Sequence, residues 1–145
     1  MENDAARIFV YSRVAERGAP PTSGEIALQF DISADRARES LATLGAARKV
    51  ILDTTGEIRM CGPFSASATR FRVHGARTSW WANCAWDMFG IPASLGIDAQ
   101  VETSCACCDE PASIAVDAIH GPKSDEGIVH ILLPARRWYD DIGFT

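Results

Sequence analysis

Apolar positions in the first third of the chain repeat at helical spacing. Over residues 5–16, Ile8, Tyr11 and Ala15 fall on one face, and "RGAPPT" ends the run with a glycine and two prolines, predicting a first helix. Thr22, followed three residues later by Glu25, has the form of a capping box; it opens a short second helix expected to bury Ile26, Ala27 and Phe30. Ser33 can cap a third, in which Ala34, Ala37, Leu41 and Leu44 recur at steps of three and four while Asp35, Arg36, Arg38 and Glu39 face outward. The period then changes. "KVILDTTGEIRM" reads as strand, turn at Thr54-Thr55-Gly56, and strand, so three helices are followed by a β-hairpin, the winged-helix pattern.

Beyond Pro63 the pattern is of another kind. "RFRVHGART" alternates Phe71 and Val73 with polar residues and turns at Gly75, predicting a hairpin whose second strand runs into Trp80. Residues 82–89 lack breakers and predict a short helix, stopped by Gly90 and Pro92. "AQVET", "ASIAV" and "GIVHILL" are β-type runs separated by "SCACCDEP" and "IHGPKSDE". The expected fold is α+β: residues 1–62 form a winged-helix-like three-helix region, and residues 63–145 a small antiparallel-sheet domain carrying a short helix.

Composition narrows the partners. With 145 residues, 47% hydrophobic and 23% charged, the chain is an ordinary globular sequence, and no apolar run approaches the roughly 18 residues of a membrane span. The acidic N-terminus "MENDAARIFVYSRVAERG" does not resemble a signal peptide, so a cytoplasmic location is expected. A net charge of −5 and a third helix that mixes acids with bases argue against sequence-specific DNA binding, and the helical region is read as a packing or lid module. The five cysteines are Cys61, Cys84, Cys105, Cys107 and Cys108; an odd number without a secretion signal suggests reduced thiols available for metal or nucleophilic chemistry.

The most unusual stretch is "WWANCAWDMFG", which sets Cys84 and Asp87 among Trp80, Trp81, Trp86 and Phe89. In a helix, residues three apart project from one face. Dry surroundings raise a carboxyl pKa, keeping a proton available to give away, and sulfur is a ligand for soft metals, so the pair suits cleavage of a bond to such a metal. On spacing alone, an ordinary core cysteine and a solvated or capping helix-end acid are the favoured reading.

"NCAWDMFGIPASLG", followed by "QVETSCACCDEPASIAV", resembles the signature of the organomercurial (alkylmercury) lyase family. The resemblance covers nearly the whole chain and is most specific over residues 81–96. It implies that Cys84 is the thiolate that captures mercury and Asp87 the acid that protonates carbon. It further implies reduced thiols, no organic cofactor, an organomercurial substrate, and a Hg(II) product handed to low-molecular-weight thiols or to a mercuric reductase. The family's second catalytic cysteine would lie just beyond Phe144, where this sequence stops at Thr145. Its absence is expected to weaken catalysis more than binding, and the expected cause is either a true stop at residue 146 or a UGA codon read natively as selenocysteine. Cys105, Cys107, Cys108 or an external thiol are the candidate substitutes.

The cluster "SCACCDEP" lacks the paired C-x-x-C spacing of structural zinc, so a tetrahedral site would need His120 or Cys61 as well. Three thiols in four residues nevertheless suit soft-metal capture. His74 and His130 read as ordinary surface or core residues, and "PARRWYDD" as a solvated turn in which Arg136 and Arg137 precede an aromatic anchor, Trp138 and Tyr139. The alternatives to a lyase are a non-catalytic mercury or soft-metal binding protein, a metal-responsive regulator, and a member of the fold with no metal role.

Overall fold

In the computed structural model of the chain, which describes residues 3–124, 127–131, 133–140 and 142, three helices lead into an antiparallel sheet that a fourth helix covers. Helix α1 (Asn3–Arg17) buries Ala6, Val10 and Val14, a row at four-residue steps. The expected face was different: Ile8 is 60% exposed, and Tyr11 and Ala15 lie half-buried beside the stripe. Small and β-branched side chains take the contact because α3 packs directly on this face.

Helix α2 (Ser23–Phe30) opens with the expected capping box: the Thr22 hydroxyl accepts from Glu25 N–H at 3.2 Å, and the Glu25 carboxylate accepts from Thr22 N–H at 2.8 Å. Ile26 is buried, with Ala27 and Phe30 packed at the edge of the core. Helix α3 (Ala34–Ala46) is capped by Ser33 and buries Ala37, Leu41 and Leu44. Ala34, expected in that stripe, is exposed. The outward charges pair with one another, Arg36 with Glu39 at 2.8 Å and Arg38 with Asp35 at 3.2 Å.

Eight strands follow: β1 (Ile51–Leu52), β2 (Ile58–Cys61), β3 (Phe64–Ser65), β4 (Arg72–His74), β5 (Ser79–Ala82), β6 (Ala99–Ser104), β7 (Pro111–Asp117) and β8 (Gly121–Pro122), in the spatial order β1-β2-β3-β5-β4-β6-β7-β8. The hairpin β1–β2 does not stand apart, because β2 pairs with β3 (Cys61↔Phe64) and β3 with β5 (Phe64↔Ala82). Inward residues pair across strands, Val73 with Trp80 on one side and with Val101 on the other. Trp80 reaches out of the sheet to donate its indole N–H to the Val14 carbonyl at 2.8 Å, and Thr78 donates to the Glu16 carbonyl at 2.9 Å, fixing the end of α1 on β5.

Two expectations fail here. The fourth helix, α4, spans Asp87–Leu95 rather than residues 82–89. Ala82 stays in the sheet because its N–H bonds the Phe71 carbonyl at 3.0 Å, and Gly90 and Pro92, expected to stop the helix, lie within it. Pro92 forfeits one helical hydrogen bond while its buried ring adds to the core, and Gly96, in the left-handed conformation, makes the actual stop. The run "GIVHILL" is not a strand over its described residues 127–131 and 133; among the described residues the last strand is β8, inside the segment expected to be a turn. After β8 the chain leaves the sheet, and Ile131 and Leu133 face a cavity instead.

Candidate active site

The site forms where β5 gives way to α4. Met88 N–H donates to the Cys84 carbonyl at 3.1 Å, so Cys84 stands at the head of the helix without belonging to it, and Asp87 occupies the first turn. The two side chains still share one side, as their spacing of three suggests. The Cys84 thiol and the Asp87 carboxyl lie close enough for each to perturb the other's protonation. Burial pushes both groups up: the thiol above its ordinary value chiefly by desolvation, with the neighbouring carboxylate adding to it, and the carboxyl likewise by desolvation, partly offset by its bonds from Asn83 and Cys84.

Asn83 was not anticipated from the sequence. Its amide donates to the Gly62 carbonyl at 2.9 Å and to Asp87 Oδ2 at 3.1 Å, tying the acid to the β2–β3 corner. Its Oδ1 is buried without a hydrogen-bond partner among the described residues, leaving an open acceptor beside the carboxyl. The available signal was a lone polar amide next to the cysteine within an apolar run.

Cys84, Asp87 and Asn83 open into a cavity of about 520 Å³. Tyr11 and Arg48–Ile51 line it from the helical half, Phe71 from the sheet, and Ile131, Leu133, Trp138 and Tyr139 from the C-terminal segment. Tyr11 donates to the Lys49 carbonyl at 2.8 Å, and the Arg48 guanidinium lies 4.9 Å from the centre of the Tyr139 ring. Trp138 donates its indole N–H to the Leu133 carbonyl at 2.8 Å beside the 3-10 turn Ala135–Arg137. His130 lines the cavity although exposed; His74 sits on the sheet between Ser79 and Glu102, at 3.0 and 2.9 Å.

The other thiols lie elsewhere. Cys61 is buried, and desolvation pushes its thiol up to about 12, so it is inert. Cys105, Cys107 and Cys108 are exposed on the β6–β7 turn and do not line the cavity. Backbone N–H groups of Cys107 and Cys108 hold the Cys105 thiol below its ordinary value. His120 is bonded to Asp117 at 3.0 Å, so neither it nor Cys61 joins the cysteine turn, and among the described residues no three His, Cys, Asp or Glu side chains are grouped to hold a metal ion.

The alkylmercury lyase (MerB) family matches residues 64–144, the stretch that contains Cys84, Asp87 and the cysteine turn. The chain belongs to the alkylmercury lyase family. Among solved structures, the mercury-bound form of MerB2 superposes with a TM-score of 0.59 at 16% identity, covering 78% of this chain and 56% of that one. At that identity the likeness speaks for the α+β fold, and this chain spans little more than half of the MerB2 chain. No curated protein matches the sequence. Among the described residues no helix is long and apolar enough to cross a membrane.

Proposed function

We propose that this alkylmercury lyase family member cleaves C–Hg bonds by protonolysis, with Cys84 capturing mercury and Asp87 protonating carbon. The observation that carries the reading is that Cys84 and Asp87 line the same wall of a largely apolar cavity, with Asn83 holding the carboxyl at 3.1 Å. When an organomercurial R–Hg–X reaches the site, sulfur takes mercury, the thiol proton passes to the Asp87 carboxylate and X leaves as an anion. The carboxyl, held protonated more readily by its dry surroundings, then gives that proton to carbon; R–H departs and Hg(II) stays on sulfur. Asn83 keeps the acid in reach. Low-molecular-weight thiols complete the coordination and carry Hg(II) away, to solution or to a mercuric reductase; no organic cofactor takes part. Such chemistry requires reduced thiols, consistent with the cytoplasm. Residues 1–62 serve as a winged-helix-like wall and lid, residues 63–145 as the mercury-binding part, and sequence-specific DNA binding plays no role.

A second reading, capture of mercury without turnover, is favoured by one observation: among the described residues, Cys84 alone supplies a thiol to the cavity. A single thiolate donates less electron density to the carbon than two would. The test is to incubate the protein with phenylmercury and excess thiol and to measure benzene. Asp87→Asn is expected to keep mercury binding and lose about 100-fold or more in cleavage, whereas Cys84→Ser loses both. Equal mercury affinity in Cys84→Ser and the parent overturns the assignment, and mercury binding without benzene selects the second reading.

A further inference from the structure

The turn between β6 and β7 carries three of the five cysteines on the surface, outside the cavity. Its ends are fixed. Ser104 pairs with Pro111, Cys105 N–H continues the ladder to the Glu110 carbonyl at 2.9 Å, and Asp109 N–H closes a turn onto the Cys105 carbonyl at 2.9 Å. Asp109, in the left-handed conformation with φ 55°, leads the chain back to β7 and pairs with Arg70 at 3.5 Å. Within one such turn, residues three apart come to the same side while residues two apart do not. Accordingly, Cys105 and Cys108, three apart across this closed turn, present two exposed thiols from one side of it.

We propose that Cys105 and Cys108 form a second mercury site, a two-thiolate chelate for Hg(II) on the protein surface, independent of Cys84. Soft thiolates select soft cations, and among the described residues no third His, Cys, Asp or Glu is grouped with the pair. Tetrahedral zinc is thereby poorly served, whereas an ion content with two collinear ligands needs nothing more. Binding breaks two S–H bonds and forms two Hg–S bonds, releases two protons to solvent and involves no redox change. Because one short, ladder-fixed turn presents both sulfurs, the second Hg–S bond forms intramolecularly, and the pair outcompetes separate monothiols. Its exposure leaves the ion open to exchange with solution thiols.

The test uses the full chain carrying Cys84→Ser, so that the cavity thiol takes no part and failure of the cleavage reading does not affect the result. Inorganic Hg(II) is titrated in against excess glutathione, with the metal per chain read by native mass spectrometry, free thiols by titration, and the fold by circular dichroism. The expected result is one tightly held Hg(II) with two thiols consumed; adding Cys105→Ser or Cys108→Ser weakens binding about 100-fold or more, while adding Cys107→Ser leaves it unchanged. Unaltered affinity in the Cys105→Ser or Cys108→Ser protein, or an equal loss in Cys107→Ser, overturns the proposal.

Discussion

At the scale of single residues, Asp87 is held in a state that disfavours its own charge. Its carboxyl pKa is raised in the folded chain, mainly by desolvation. A raised carboxyl costs stability once the pH exceeds its unfolded value, reaches its full cost above the folded value, and costs nothing where both states are protonated. Asp87→Asn removes that charge while keeping an acceptor for the Asn83 amide. Its Tm is therefore expected to exceed the parent's at neutral pH, with the gap closing as the pH falls below about 4, the ordinary Asp range; a gap independent of pH in thermal melts defeats this account. The acid proposed for protonolysis is thus one that is expected to weaken the fold. In the sequence, spacing alone favoured an ordinary core cysteine and a helix-end acid, and the pairing of Cys84 with Asp87 became legible only through the resemblance carried by "NCAWDMFGIPASLG". The role of Asn83 was not, because its partner Gly62 lies 21 positions away and meets it only through the β2–β3 corner.

At the scale of elements, caps and turns were the most legible features, since they depend on partners within a few residues: the Thr22–Glu25 box, the Ser33 cap and the β1–β2 turn all form as their local chemistry dictates. Features settled by tertiary contact were misread. The face of α1 is chosen by α3, the start of α4 is delayed because Ala82 is claimed by the sheet, and Ile131 and Leu133 face a cavity that no local pattern reveals. The contact of α1 with β5 allows a quantitative check. A Cβ on Gly18, which has φ +82°, would fall 2.2 Å from the Ser79 carbonyl oxygen, whereas Gly56, at φ +84°, has nothing within 4 Å. Both Ala substitutions carry the left-handed penalty of about 1–2 kcal/mol, and Gly18→Ala adds overpacking of about 1–3 kcal/mol. Urea denaturation should rank Gly18→Ala clearly below Gly56→Ala; equal losses would mean that α1 is not held against β5.

At the scale of the molecule, the sequence change near Pro63 separates a helical half from a sheet-rich half, yet the cavity takes its walls from both. Trp80 bonds Val14 across that divide, and buried residues of both halves form one core cluster. Unfolding is therefore expected to be a single cooperative transition, with near- and far-ultraviolet circular dichroism coinciding. Two separated transitions would instead mark residues 1–62 and 63–145 as independent units. The four tryptophans are distributed unevenly about this architecture: Trp80 is buried in the core, while Trp86, 60% exposed, and Trp138 line the cavity that contains Cys84. A heavy atom near an excited indole promotes crossing to the triplet state and darkens its emission. If mercury binds Cys84 as proposed, it is expected to quench the solvent-exposed, red-shifted part of the fluorescence first and to leave the blue emission of Trp80 comparatively bright, an optical gauge of occupancy.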